Sequence, residues 1–543
     1  MTTFKHRPPL LLAIIGLLLY FGLSYAAPLF NKPVSEEEHK LASPAITKRE
    51  AADTAEAFIR SRFGLSGGQT ADTLLQSATA RSGYLQQAGL DEQYRQTYAA
   101  RFPIDYYEVE IRDGASTYYV GINYTNRSVL SFSSHKSPAA KTDVLPAQDM
   151  APEAAAERTL REMGFDPAAF TVRSGVSAEG AAELVYVSKT ERIGEAVLEL
   201  RLRTAGGQVT AFRPTFPPPD SFIRWREAQD ERSGLMTRIS MLASLAMAFS
   251  ALVIVLRNRR QIDFARGALL SLVFLAVYVL NNYNMLPAFR TMHGSGPSEP
   301  GAIVYLWINN VYVTLMAICT YFALLAGGRL MQSHGVRPWP LWRDEDFGSQ
   351  AKQSMKDGYI IGLFILGIQQ LLFLGASALF DVWAVNDPTD SIHNMLHPEW
   401  FPLLAWSAAI SEEAIYRLLG VSLMLRLTRS PFISVLVPSI IWAMSHTQYP
   451  IYPVYTRLIE VTVIGIIFGY AFLRYGFLTA VFAHAAMDSI LMGLSLLYDG
   501  NNMQAVAGVA YFLVPAAAGW LLYAAHGKFR RRPPALAPPP FPK

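Results

Sequence analysis

Apolar and polar positions divide this chain into stretches of different period. Pro8–Ala27 is an unbroken apolar run behind the short basic segment Met1–Arg7. From about residue 31 to 234 the chain is polar, without a stretch able to cross a bilayer. Apolar runs then recur at about 236–256, 267–287, 302–326, 359–382, 400–425, 431–448, 455–474, 476–497 and 505–525. A membrane helix needs ~20 apolar residues to cross ~30 Å of hydrocarbon, so with the first run the pattern predicts about ten crossings. The basic start of the first run marks either a cleaved signal peptide or an uncleaved anchor, and its length favours an anchor over residues 1–30.

Within the polar region the period changes to that of helices and strands. Glu50–Phe63 places Ala55, Phe58 and Ile59 on one helical face, and Tyr106–Ile111, Ser116–Tyr124 and Ser128–Ser133 alternate as strands do. Roughly a hundred residues later the order returns. The second copy is the helix Pro152–Met163, then strands near Glu183–Ser188, Ala196–Arg203 and Gln208–Phe212. The turns Arg112-Asp-Gly and Ala205-Gly-Gly separate strands in both copies. The expected fold is a multi-pass α-helical membrane bundle plus a soluble α+β extracytoplasmic domain. That domain, residues 31–234, would consist of two helix-plus-antiparallel-sheet repeats, about 45–135 and 150–215. This pattern is similar to the PepSY-like modules of secreted and membrane-anchored bacterial proteins. No catalytic or metal-spaced cluster occurs in it, which points to a binding or regulatory module. Pro214–Pro219 reads as a stiff linker into the membrane.

Composition agrees with this division: of 543 residues, 51% are hydrophobic and 17% charged. The net charge of +4 comes from basic residues gathered at segment ends, which argues against a nucleic-acid partner. Arg257, Arg259, Arg260 and Arg266 share one loop; Arg329, Arg337, Arg343, Lys352 and Lys356 share another. Arg426 and Arg429 form a third group and Lys528–Arg532 a fourth, while Ala384–Glu399 and Asp499–Gln504 hold no Lys or Arg. Alternation puts the basic groups on one side, so both termini are expected in the cytoplasm of a plasma-membrane protein. Residues 235–356 then hold crossings two to four and a cytoplasmic loop, 357–527 the core, and 528–543 a basic, proline-rich cytoplasmic tail. The single cysteine, Cys319, excludes an intrachain disulfide and a cysteine zinc site.

Inside these apolar runs stand six ionisable groups: Glu412, Glu413, Arg417, His446, His484 and Asp488. A charged side chain at a helix centre costs ~2.5–3.5 kcal/mol, so their presence requires either a structural charge network or a site with chemistry. Glu413 and Arg417 are spaced i,i+4 with the acid first, the better orientation for an ion pair. Glu412 points elsewhere on the helix and has no local partner. Trp442 with His446, and His484 with Asp488, repeat the i,i+4 spacing. The latter pair either fixes one histidine tautomer or faces a cation. Glu460 lies near Arg457, which reads as an interfacial ion pair.

Glu412-Glu-x-x-x-Arg417, Trp442-x-x-x-His446 and His484-x-x-x-Asp488, in this order, resemble the CPBP family. Those are intramembrane proteases related to the eukaryotic CAAX prenyl endopeptidase and to bacteriocin-processing and immunity proteins. The resemblance covers about residues 357–525. The family's aromatic is usually Phe, here Trp442, and its last position is Asn or Asp, here Asp488. The resemblance implies an intramembrane endopeptidase acting on a peptide or membrane-protein substrate. Glu412 would activate water, His446, His484 and Asp488 would complete the site, and Glu413 and Arg417 would support it. It leaves two cofactor states open: none, or a divalent metal such as zinc on His446, His484 and Asp488. The absence of His-Glu-x-x-His favours the first. Two other readings use the same residues, a non-proteolytic scaffold or immunity protein and an ion-coupled transporter; no internal symmetry of the transporter kind is visible.

Overall fold

A computed structural model describes residues 7–26, 44–64, 70–114, 116–136, 151–176, 182–291 and 299–529. Most of the basic N-terminal segment and the proline-rich end 533–542 lie outside the described residues. The first half comprises α1 (Leu11–Ala26), α2 (Lys48–Phe63), β1 (Thr70–Ser77), α3 (Thr79–Gln87), α4 (Asp91–Thr97), β2 (Asp105–Asp113), β3 (Ser116–Ile122) and β4 (Val129–Lys136). It continues with α5 (Pro152–Glu162), β5 (Phe170–Val176), β6 (Ala182–Ile193), β7 (Ala196–Ala205) and β8 (Gln208–Thr215). The helical part opens with α6 (Asp220–Asn258), α7 (Ala268–Asn284), α8 (Leu286–Thr291), α9 (Glu299–Ser333) and α10 (Phe347–Phe380). After the short strand β9 (Trp383–Ala384) come α11 (Leu404–Glu412), a π-helical stretch Glu413–Val421, α12 (Ser422–Thr428) and α13 (Pro431–Met444). β10 (Ile451–Tyr452), α14 (Val454–Tyr475), α15 (Phe477–Asp499), α16 (Asn502–Tyr511) and α17 (Val514–Phe529) complete it.

The soluble module is one antiparallel sheet of eight strands in the order β1-β2-β3-β4-β8-β7-β6-β5. Its two halves join where β4 pairs β8, through Phe132 with Phe212 and Ser133 with Ala211. Helix α2 begins in a capping box between Thr47 and Glu50 and buries Ala51, Ala55 and Ile59. On β2 the buried Tyr107, Val109 and Ile111 alternate with outward residues and pack under it. In the second half α5 buries Ala155, Ala156 and Leu160 in the same way. The sequence pattern missed β1, β5, α3 and α4. β1 and β5 are the two outermost strands. Edge strands bury less and so carry a weaker alternation.

Among the described residues five helices are long and apolar enough to cross a membrane: α6, α9, α10, α14 and α15. α16 and α17 form a sixth candidate, bent by 51°. This corrects the expectation of about ten full crossings. Helices fill every expected run, but several are too short to cross alone. α13 has 14 residues, about 21 Å, against ~30 Å of hydrocarbon. The expected straight helix over 400–425 is α11, then nine residues of π-helix, then α12. α1 lies against α10 at contact distance. A Cβ on Gly16 would fall 2.1 Å from the Leu363 carbonyl oxygen, and one on Gly367 would fall 2.2 Å from that of Gly16. Only glycine permits such backbone contact between helices.

Stacking, ion-pair and hydrogen-bond contacts tie the module to the bundle. α6 has 39 residues, about 58 Å, so it extends well past the hydrocarbon toward the sheet. Its outer end packs Trp225 against Trp383 of β9, and Tyr452 of β10 stacks on Trp383 at 4.7 Å. Arg290, after α7, bonds to Asp72 of β1 at 3.1 Å and to Glu110 of β2 at 2.6 Å. Asn394 is fully buried, and its side chain clasps the Leu75 main chain, accepting from N–H at 2.8 Å and donating to C=O at 2.9 Å. Beside it, Lys48 Nζ donates to the His393 carbonyl at 2.5 Å.

That contact carries a pH dependence. Burial, and then the Lys48 ammonium, push the His393 imidazole down to about 4. Its unfolded value is ~6.5, so burying this neutral imidazole costs no protonation energy above pH ~6.5 and destabilises the fold as pH falls toward 4. Between pH 7 and 5 the wild type should lose more unfolding temperature than His393→Gln, measured by thermal unfolding of the full chain in detergent. Parallel curves for the two proteins would remove His393 from this role.

Candidate active site

The six ionisable groups come from three neighbouring segments. Glu412 ends α11, and Glu413 and Arg417 lie in the π-helical stretch, all nine of whose residues are buried. Widened turns of this kind recur at functional sites because they re-aim side chains from an otherwise regular helix. His446 follows the short α13 directly and stands beside Glu412. His484 and Asp488 lie one turn apart on α15.

Two shells result. Behind, Glu413 Oε1 meets Arg417 Nη1 at 3.1 Å and His484 Nδ1 at 2.9 Å, with all three side chains no more than 3% exposed. Arg417 and Glu413 are ion-paired at short range, yet neither terminal guanidinium nitrogen of Arg417 has a hydrogen-bond partner. Arg417 is held by aromatic faces instead, 4.1 Å from the Trp442 ring centre and 5.1 Å from that of Phe468. Phe468 also stacks on His484 at 4.8 Å. Toward the front, Glu412, His446 and Asp488 are 24%, 20% and 16% exposed. Trp442 Nε1 donates to Glu412 Oε2 at 2.5 Å and fixes that carboxylate. His446 Nδ1 donates to the Trp442 carbonyl at 2.9 Å, which turns Nε2 toward Glu412. His446 Nε2 and His484 Nε2 stand 4.0 and 3.9 Å from the two Glu412 oxygens. Gaps of that length fit one bridging water. His484 Nε2 also reaches Asp488 Oδ2 at 3.3 Å.

These groups open into a cavity of about 580 Å³. Its wall is largely apolar, with Phe373, Met395, Met487 and Met492 among the lining residues. It extends to the loop 385–396 that Asn394 ties to the sheet, where Asp387 and Asp390 line the mouth. Glu460 pairs with Arg457 at 3.0 Å, as its spacing suggested, but the pair is buried at the cavity wall.

Among the described residues no group of three or more His, Cys, Asp or Glu side chains is placed to hold a metal ion. Both ring nitrogens of His484 face carboxylates, Nδ1 toward Glu413 at 2.9 Å and Nε2 toward Asp488 at 3.3 Å. The zinc alternative on His446, His484 and Asp488 gains no support from this arrangement.

Sequence reasoning did not reach Phe468, Gln369 or Gln370, which complete the surroundings. Phe468 is indistinguishable from core aromatics by pattern. The adjacent glutamines inside the apolar run 359–382 were a visible signal, since buried amides are costly without partners.

Residues 396–490 match the family described as Type II CAAX prenyl endopeptidase Rce1-like. This stretch contains all six ionisable groups. The sporulation-killing factor biosynthesis protein SkfC of Bacillus subtilis (strain 168) is 29% identical over 89 residues. The match spans 16% of this chain and only 18% of that protein. No solved structure matches the chain significantly. Residues 396–490 are thus similar to a CPBP-type protease domain, within a multi-pass membrane protein that bears a soluble α+β module.

Proposed function

We propose that this protein is an intramembrane endopeptidase that hydrolyses peptide bonds with water activated by Glu412. The observation that carries this reading is the convergence of His446 Nε2 and His484 Nε2 on the two Glu412 oxygens, at 4.0 and 3.9 Å, in the wall of a largely apolar cavity. Charge balance supports it. Arg417 and a doubly protonated His484 offset two of the three carboxylates Glu412, Glu413 and Asp488, leaving one negative charge to act as base. Glu412 takes a proton from water, the hydroxide attacks the substrate carbonyl, and Glu412 returns the proton to the leaving nitrogen. His446, anchored by donation from Nδ1, presents the Nε2 lone pair to the same place and accepts from the attacking water, which it helps to orient. The clustering of basic loops supports an orientation with both termini in the cytoplasm and the sheet outside. The module then stands over the cavity mouth and offers a route by which peptides reach the site.

The choice between a glutamate and a metal mechanism makes the reading testable. The purified full chain in detergent, supplied with quenched-fluorescent apolar peptides, should cleave at a rate unchanged by EDTA or 1,10-phenanthroline. Loss of activity on chelation, restored by added Zn²⁺, would contradict the glutamate mechanism.

A further inference from the structure

One polar feature of the cavity has no role in the chemistry above. Gln369, Gln370 and Phe373 of α10 line the wall that also bears Glu412 and His446. Gln370 is 5% exposed, and its Oε1 has no hydrogen-bond partner; the Oε1 of Gln369 has none either. A buried amide carbonyl without a partner is unfavourable, so the arrangement is stable only if a ligand or water supplies the missing donor.

The height of these amides follows from helix packing. α10 and α15 run in the same direction, with Gly358 against Phe482 and Ala483, and Gly362 against Ala483 and Met487. Carried along both helices, that register puts Gln370 one to two turns beyond Asp488, on the side of the sheet. A turn is ~5.4 Å, and an extended peptide rises ~3.3 Å per residue. The amide thus stands about two to three residues along a bound strand from the bond being cut. The chain already shows what such an amide does: Asn394 clasps the N–H and C=O of Leu75 with one side chain.

We propose that Gln370, assisted by Gln369, is a substrate subsite that clasps the main-chain N–H and C=O of one residue of an extended, apolar peptide. Oε1 accepts that residue's N–H and Nε2 donates to its C=O. The apolar wall takes the side chains, so the subsite sets the register of the strand over Glu412 without selecting its sequence. This inference rests on the protease reading.

The test uses the full chain in detergent, made inactive as Glu412→Gln, and a pool of fluorescein-labelled apolar decapeptides. The tightest binder is resynthesised with each amide N-methylated in turn, and binding is read by fluorescence anisotropy. One methylation position should weaken binding by about 3- to 10-fold, the range for a lost neutral hydrogen bond. In the Glu412→Gln/Gln370→Leu form the parent peptide should bind as weakly, and that position should no longer matter. An unfolding temperature no lower than that of Glu412→Gln alone would show the leucine variant to be folded. A methylation profile unaffected by Gln370→Leu overturns the subsite, as does failure of every peptide to bind. Cleavage by the wild type is scored separately. Binding that depends on Gln370 without cleavage would sink the protease reading and leave the subsite standing. Cleavage with a profile blind to Gln370 would do the reverse.

Discussion

Glu412→Gln should lower peptide cleavage by about 10²- to 10⁴-fold, the usual contribution of a positioned general base. Glutamine keeps an oxygen to accept from Trp442 Nε1, so the indole and the wall it supports should stay in place. The change removes the one carboxylate charge that Arg417 and His484 leave without an offset. Thermal unfolding in detergent should therefore be unchanged or slightly raised. Initial rates on a quenched-fluorescent peptide, with the unfolding curve of the same preparation, check both halves. Full activity in a correctly folded Glu412→Gln protein would end the assignment.

Arg417→Leu should act through the fold instead. Arg417 is 1% exposed and faces Glu413, itself fully buried, with its guanidinium between Trp442 and Phe468. Removing one partner of a buried ion pair typically costs ~3–5 kcal/mol, because the other charge is left without compensation. His484, also paired with Glu413, would bear the remaining load, and its hold on Asp488 would weaken. A fall in unfolding temperature accompanied by loss of activity is the expected result. Arg417→Lys should recover only part of it, since an ammonium does not stack between two rings as a guanidinium does. An unfolding temperature equal to wild type would show that Glu413 is not a charged group in need of this partner. Together the two variants separate roles: one loses chemistry and keeps the fold, the other loses both.

Much of the bundle was legible because a hydrocarbon environment demands long apolar runs, and every run does hold helix. Its irregularities were not legible. Nothing in the apolar content of 431–448 signals that helix stops at Met444, although Pro431 and Pro438 lie inside it. That early stop leaves His446 in the turn after the helix, beside Glu412. The Glu413–Arg417 pair was readable from spacing, but the second partner of Glu413, His484, comes from a helix 71 residues away. In the module, strands with one buried face announced themselves, whereas polar β1 and β5 did not. Trp442 was visible as an aromatic, but its bond to Glu412 depends on the crossing of two helices. Asn394 is an ordinary loop residue in sequence; only the folded chain shows it holding the cavity mouth to the sheet.

The most direct test is to map new protein termini in membranes of cells expressing either the wild type or Glu412→Gln. The account predicts termini within or beside membrane segments that appear with the wild type alone, while both proteins accumulate equally. Identical sets of termini from the two would mean that no bond is broken with the help of this carboxylate.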